Sequence, residues 1–329
     1  MMSTLLVVSC RDGERRIPCY VAGTVPDGRF ELVFTTAMSA YVESCTDPSY
    51  RAQALAFSHP VVGAHGLPSH AEQSQAVQPA IVIAAAPTTE FTSWIVRRGG
   101  CIVTCHDTRT VVALARCGAE AWIDGHGGDL ITPRLANNAM VASHAECTIV
   151  DLGCKSAIAT GMLRRGVSVA IVSAVNLRAA IAAGTRGIIL SNGPGDPWHD
   201  MHGTRAAAEA IASDIPTLGI CYGHQLLAIA DGLRVKRLRC GHRGTNHPIA
   251  NVRTGNVTVT SHNHGFTVAE PGAGEALVTY RSALDGTVEG IERDSFSGVQ
   301  FHPEGSPGPR LDEVMDSFAT AITGARRCT

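Results

Sequence analysis

The chain has 329 residues, 45% of them apolar, a formal net charge of −2 and no basic block. That is enough apolar material for two packed cores of ordinary domain size, and the charge balance gives no electrostatic footprint for nucleic acid. Eleven cysteines, an odd count, do not read as a disulfide framework in a chain with a large core and fit a reducing cytoplasm better.

The first residues, Thr4-Leu5-Leu6-Val7-Val8, are apolar but short, and charge follows at Arg11. They read as a first strand and not as a signal peptide or membrane span. Through residue 120 the apolar runs 4–8, 30–34, 54–57, 81–86 and 101–105 are separated by Gly, Pro and Asp, which predicts a strand-rich mixed domain. Helical spacing is limited to Ser93–Arg98 and Thr108–Cys117. Cys101 and Cys105 with His106 reads as a buried strand, because no second ligand pair at zinc-like spacing accompanies it.

Residues 124–146 carry little pattern and are expected to form a linker between domains at 1–123 and 147–329. From Cys147 the pattern alternates. Strands are expected at 148–150, 168–172, 187–190 and 216–220, and helices at 156–165, 179–183, 205–213 and 225–231. Such alternation predicts a mostly parallel sheet with helices on both faces, hence an α/β domain whose site lies beyond the carboxyl ends of the strands. Several short strands with Gly and Asn turns are expected over 249–301.

Gly219-Ile220-Cys221-Tyr222-Gly223 follows an apolar run and precedes a helical one. That is the pattern of a nucleophile elbow, in which glycines flank a sharp strand-to-helix turn. The N-terminus of the helix then places N–H groups and partial positive charge near the sulfur. About eighty residues on, His302-Pro303-Glu304 offers a base and a carboxylate to orient it, expected on one side of an extended segment. A third element, Ile188 to Pro197, is a buried strand running into a Gly/Pro loop that can turn a backbone N–H toward an oxyanion. His224, beside the cysteine at a helix start, reads as structural. His242, His247, His262 and His264 stand among Gly and Asn and read as hydrogen-bonded loops, not a metal site.

Together these elements resemble the triad-type class I glutamine amidotransferases. Ser191 to Pro197, Gly241 to Pro248, Asn263 to Phe266 and Phe301 to Pro309 resemble, more narrowly, the small glutamine-hydrolysing subunit of carbamoyl-phosphate synthase. So do Val33 to Tyr41 and Thr46 to Tyr50, which look like the extra N-terminal domain of that family. The resemblance spans about 1–115 and 148–329. It implies a class I glutaminase-type mostly parallel sheet with flanking helices, preceded by a smaller strand-rich domain.

For the site, the resemblance implies Cys221, His302 and Glu304 as catalytic triad and the N–H groups of Gly193 and Tyr222 as oxyanion donors. The family's glutamine contacts fall on Ser49, Gly193, Gly195, Tyr222, Gln225, Asn263, Gly265 and Phe266, the last three expected on a loop. Ser49 could instead cap a turn after Asp47-Pro48, and Asn263 and Gly265 could be ordinary turn residues. Lys155 matches a family position, with a solvated surface lysine as the equal alternative. The implied activity is hydrolysis of L-glutamine, with ammonia passed to a large synthetase subunit that uses ATP, Mg and bicarbonate to make carbamoyl phosphate for arginine and pyrimidine synthesis. No Gly-x-x-x-x-Gly-Lys-Ser/Thr loop is present in this chain, and no cofactor or metal is expected in it.

Tyr222, His262 and Gly305 replace the family's usual leucine, glutamine and alanine, and the stretch 118–147 is shorter than the family's. Two alternatives therefore stay open. One is a glutaminase of the same fold serving another synthase, and the other is a non-catalytic regulatory or scaffold subunit.

Overall fold

A computed structural model describes residues 4–132, 145–272 and 274–324. The chain divides into two compact units, Met1–Arg134 with Arg239–Gly244, and Leu135–Leu238 with Thr245–Thr329.

The first unit contains strands β1 (Thr4–Cys10), β2 (Gly13–Gly23), β3 (Arg29–Thr35), β4 (Gln53–Phe57), β5 (Val61–Val62), β6 (Ile81–Ala84), β7 (Ala86–Pro87), β8 (Cys101–Thr104), β9 (Glu120–Ile123) and β10 (Leu130–Ile131). Its helices are α1 (Tyr41–Thr46), α2 (Thr89–Arg97) and α3 (Thr108–Ala115). The main sheet runs β10-β3-β4-β6-β8-β2-β1-β9, and β9 also pairs with β3, so seven of its strands form a closed ring. Strands β3, β4, β6 and β8 are parallel, and β1, β2 and β9 complete the ring antiparallel.

Because successive side chains leave a strand on opposite faces, Leu32, Phe34, Ala54, Ala56, Ile81 and Ile83 enter one core with Val111 of α3. The alternating Val33, Leu55, Phe57, Val82 and Ala84 enter another with Tyr41, Phe91 and Trp94 of α1 and α2. Helix α2 starts earlier than the apolar spacing suggested. Thr88 caps it by accepting from the Phe91 N–H at 3.1 Å, a side-chain cap that an apolar-period reading overlooks. The run 81–86 is broken into β6 and β7, and β2, β9 and α1 add elements where no apolar run pointed to them. Leu130–Ile131 lies within the expected linker yet pairs with Arg29–Phe30. The rest of that segment from 133 to 144 lies outside the described residues.

The second unit contains β11 (Cys147–Asp151), α4 (Ser156–Arg164), β12 (Val169–Ser173), α5 (Leu177–Ala182), β13 (Gly187–Leu190), α6 (Met201–Ala212), β14 (Thr217–Ile220), α7 (Tyr222–Ala230), β15 (Val235–Asn251, whose residues Arg239–Gly244 count with the first unit), β16 (Val257–Val268), β17 (Leu277–Ser282), β18 (Val288–Arg293), β19 (Phe296–Val299) and α8 (Asp312–Gly324). The sheet order is β12-β11-β13-β14-β19-β18-β17-β15-β16. Strands β12, β11, β13, β14 and β19 are parallel, and β18 and β17 turn antiparallel.

Both faces are covered, as near-continuous apolar parallel strands require. Ile188, Leu190 and Val150 pack with Ala206, Ala210 and Leu226 of α6 and α7. Ile149, Ile189 and Ile220 pack on the other face with Ile158 and Met162 of α4 and with Met315, Phe318 and Ile322 of α8. The unit is thus the expected α/β sheet with flanking helices.

Candidate active site

Three chain segments converge at the carboxyl ends of neighbouring parallel strands. The first is the end of β14. Its last residue, Ile220, is buried, and the backbone then reverses at Cys221, which takes φ 53° and ψ −98° as the N-cap of α7. A non-glycine residue in that region is strained and persists only where its surroundings hold it. Here the Cys221 N–H donates to the Val299 carbonyl at 2.8 Å, and the Gly223 N–H to the Ser191 carbonyl at 3.0 Å. Both flanking glycines are required by space. A Cβ on Gly223 would stand 2.1 Å from the Leu190 carbonyl oxygen, and one on Gly219 would stand 2.7 Å from the His224 nitrogen.

The second segment continues β19 as Gln300-Phe301-His302-Pro303-Glu304. The His302 N–H donates to the Ser261 carbonyl of β16 at 2.9 Å, which fixes its backbone. Glu304 is reached through a turn closed by the Gly305 N–H on the His302 carbonyl at 3.2 Å, not along an extended run as expected from spacing. The Pro303 between them, which cannot donate to a ladder, accounts for that turn. The two side chains still meet: His302 Nδ1 and Glu304 Oε1 are 2.8 Å apart, and both residues are buried.

The third segment is the β11–α4 connection. Asp151 Oδ1 accepts from the Gly153 and Cys154 N–H groups at 2.9 Å each. Asn192 Oδ1, just past β13, accepts from the Lys155 N–H at 3.1 Å, and Ser191 Oγ accepts from the Leu152 N–H at 3.0 Å. The Ser191-Asn192 pair therefore stitches the end of β13 to this connection. The alternative of a solvated surface Lys155 is overturned. Its side chain is 1% exposed, with Nζ 3.1 Å from His302 Nδ1 and 3.3 Å from Glu304 Oε1.

Electrostatics follow from this arrangement. Burial pushes Glu304 up, but Lys155 and His302 together outweigh it and hold the carboxyl below its ordinary range. Burial and Lys155 both press His302 down. Glu304 and the Cys221 sulfur outweigh them and raise it to about 9. Cys221 is thus among the groups that act on the His302 ring, and its thiol points toward the Asn263 carbonyl at 3.8 Å.

The other expected residues fall as follows. Tyr222 opens α7, so its N–H is among the first-turn donors that lack an acceptor within the helix. Its buried ring reaches Asp200 Oδ2 at 3.4 Å. Gly193 passes so close to the Leu152 carbonyl that a Cβ would stand 2.0 Å from that oxygen, and Gly195 has φ 102°, left-handed backbone that favours glycine. Gln225 Nε2 lies 3.1 Å from both the Phe266 carbonyl and Gln300 Oε1.

Asn263, Gly265 and Phe266 lie in β16, a twelve-residue strand, and not on a loop. His242 and His247 lie in β15, and His262 and His264 in β16, so the loop reading of these histidines is also corrected. Gly and Asn suggested turns, yet hydrogen bonding along these long strands overrides that local preference. In β16, His262 Nδ1 meets His264 Nε2 at 3.0 Å, and His264 Nδ1 meets the Phe266 carbonyl at 2.8 Å. Glu289 of β18 approaches both rings, at 3.6 and 3.8 Å. Ser49 lies in the first unit, where its N–H donates to Asp47 Oδ1 at 2.9 Å, so Asp47 is the capping residue there. His224 is fully buried against Gly298, and burial pushes its ring down to about 3, consistent with a structural role.

Gln300 was not anticipated. Its Nε2 is 3.4 Å from the Cys221 carbonyl and 3.7 Å from Cys221 Sγ. The available signal was a lone amide between Val299 and Phe301, a polar side chain at the buried end of a strand.

The described cysteines are all free thiols. Cys101 is buried in β8, as its apolar neighbours implied, and Cys105 just beyond it is buried too. Among the described residues no helix is long and apolar enough to cross a membrane.

The sequence is similar to known proteins over both halves. The family "Glutamine amidotransferase class-I" matches residues 148–322, and "Carbamoyl-phosphate synthase small chain, CPSase domain" matches residues 11–120. The arginine-specific carbamoyl phosphate synthase small chain of Bacillus subtilis is 33% identical, over 90% of this chain and 92% of its own length. The small chain of Halobacterium salinarum shows the same identity and coverage, and that of Pyrococcus furiosus is 32% identical over 90% of this chain and 92% of its own. Among solved structures, a candidate GMP synthase component from Thermoplasma acidophilum shares 18% identity. It covers 56% of this chain and 98% of its own with a TM-score of 0.50, a likeness of fold alone. The chain belongs to the carbamoyl-phosphate synthase small chains, and its second half is a class I glutamine amidotransferase domain.

Proposed function

We propose that this chain is the glutamine-hydrolysing half of a carbamoyl-phosphate synthase, and that Cys221, His302 and Glu304 carry the hydrolysis. The observation that supports this most is the strained Cys221 at the tip of β14, beside a buried His302–Glu304 pair. Strain at one cysteine, close to a base and its orienting carboxylate, has a catalytic rationale.

In this reading His302 takes the thiol proton and the sulfur attacks the carboxamide carbon of L-glutamine. The tetrahedral oxyanion is stabilised by the N–H groups of Tyr222 and Gly193, aided by the N-terminus of α7. His302 returns the proton to the leaving nitrogen, so ammonia departs and a thioester to Cys221 remains. Water activated by His302 then hydrolyses the thioester to glutamate. Ser49, Gly193, Gly195, Tyr222, Gln225, Asn263, Gly265 and Phe266 are proposed to hold the substrate. A large synthetase subunit is the proposed partner, in a heterodimer or higher heteromer. It would receive the ammonia before water protonates it, and ATP, Mg and bicarbonate are proposed to act there.

The test is release of ammonia and glutamate from L-glutamine by the purified chain, alone and with the large subunit, ATP and bicarbonate. Turnover that needs Cys221 and rises with the large subunit supports the reading. Turnover indifferent to that subunit points to another synthase, and no turnover under any condition removes the catalytic reading.

A further inference from the structure

Lys155 is the one described cation set against the His302–Glu304 pair, and a lysine side chain almost never sits in so buried a place without a partner. The three polar atoms form a nearly equilateral triangle. Nδ1 of His302 lies 2.8 Å from Glu304 Oε1, Nζ of Lys155 lies 3.3 Å from the same oxygen, and Nζ and Nδ1 are 3.1 Å apart.

Proton placement follows from this triangle. If Lys155 donated to His302 Nδ1, the ring proton would reside on Nε2, and the ring could not accept the Cys221 proton. If instead Nδ1–H and Lys155 both donate to Glu304 Oε1, Nε2 is the nitrogen left to exchange a proton with Cys221. The shorter His302–Glu304 distance favours the second arrangement. While His302 holds the proton from Cys221, a positive ring stands 3.1 Å from a second cation. That repulsion favours passing the proton on.

We propose that Lys155 is a positioning residue of the active site: it clamps the Glu304 carboxylate against His302 and opposes the build-up of positive charge on that ring, so that the proton taken from Cys221 is delivered to the leaving nitrogen. This rests on the catalytic reading of Cys221 given above. Among the described residues, the charged and titratable groups facing the assembly include Cys221 at the start of α7, Glu304 after β19 and Cys154 on the β11–α4 connection, with Asp151 at the end of β11 beside Cys154. None of them is a second cation able to replace Lys155.

The experiment uses the full chain with Lys155→Met, Lys155→Gln and Lys155→Arg. The rate of Cys221 alkylation by iodoacetamide is followed against pH on the Cys221 peptide by mass spectrometry, and glutamine turnover is followed in the complex with the large subunit. The alkylation profile needs no glutamine and is readable even if turnover fails, so failure of the catalytic reading and failure of this one are distinguishable. The neutral variants are expected to shift the profile upward by about 1–3 pH units and to lower turnover at neutral pH by roughly tenfold or more, because removing a cation makes each proton of the pair harder to lose. Lys155→Arg is expected to keep the parent profile. A profile unchanged in Lys155→Met or Lys155→Gln, or equally displaced in Lys155→Arg and Lys155→Gln, overturns the proposal. If Lys155→Met does not fold, the Gln–Arg comparison decides alone.

Discussion

Two kinds of buried cysteine in this molecule make the useful comparison. Cys147 is the first residue of β11, and burial raises its thiol to about 12. Cys101 begins β8, and burial raises it to about 11. Both serve as small apolar side chains in a sheet interior. Cys221 is as buried, 2% exposed, but stands one residue past β14 with a left-handed backbone and a histidine nearby. The same side chain is thus core filler inside a strand and a chemical group at the strand's end. Position relative to the end of the sheet, not burial, separates the two.

The largest expected effect tests that separation. Cys221→Ala is expected to lower glutamine turnover by about 10⁴-fold or more, since removing one member of the proposed triad would disable the unit. Cys147→Ala is expected to leave turnover in place and cost about 1 kcal/mol of stability. Paired assays of ammonia release and urea unfolding check both. Loss of turnover in both variants would erase the distinction between strand and strand end.

The elbow itself supplies the next effect. Gly223→Ala places a methyl group 2.1 Å from the Leu190 carbonyl oxygen, and backbone cannot rotate aside as a side chain can. A destabilisation of about 3 kcal/mol is expected, at the upper end of ordinary overpacking. Chemical denaturation reads it directly. A loss under about 1 kcal/mol would mean that the elbow is looser than its contacts indicate.

Two buried histidines sharpen the comparison by pH. His224 is pushed down from 6.5 to about 3 by burial. Its unfolded form binds a proton that the folded form does not. It therefore stabilises fully above 6.5, and that stability is lost as pH falls from 6.5 toward 3, by roughly 1 kcal/mol per pH unit. His302 is raised from 6.5 to about 9. Its contribution is fully present below 6.5 and is lost as pH rises toward 9. Unfolding midpoints from pH 4 to 9 are expected to fall on both sides. His224→Asn should flatten the acid side, and His302→Gln the alkaline side. If each variant flattened the opposite limb, the assigned charge states would be wrong.

What could be read from the residues alone follows the same line. Parallel strands and their helices were legible because apolar runs such as Ile188–Leu190 alternate with helical spacing. The elbow at Cys221 and the meeting of His302 with Glu304 were legible because glycines and a proline frame them. Lys155 was legible only in part: the resemblance pointed to its position, but a lysine after Gly153-Cys154 carries no local sign of burial. It is buried by contacts more than a hundred residues away in sequence, with His302 and Glu304. Gln300 was hidden for the same reason. Asn263 to Phe266 were placed on a loop because Asn and Gly prefer turns locally, whereas strand pairing over twelve residues decides the outcome.

The smallest effect contrasts a buried ion pair with an exposed one. Arg165 caps α4 and reaches across to α8, with Nη2 2.8 Å from Asp312 Oδ1 and Nε 2.6 Å from Asp316 Oδ1. The carboxylates are largely exposed, at 55% and 63%, whereas the side chains of Lys155 and Glu304 are 1% and 0% exposed. Water and salt screen the outer pairs, so Asp316→Ala is expected to cost about 0.5 kcal/mol and less in high salt. Removing one partner of the inner pair leaves the other charge buried and uncompensated. Lys155→Met is therefore expected to cost several times more, about 3 kcal/mol, with little dependence on salt. Unfolding of both variants at low and high ionic strength checks this. Equal losses with equal salt dependence would show that the Lys155–Glu304 contact is solvated, and the clamp on His302 would lose its physical basis.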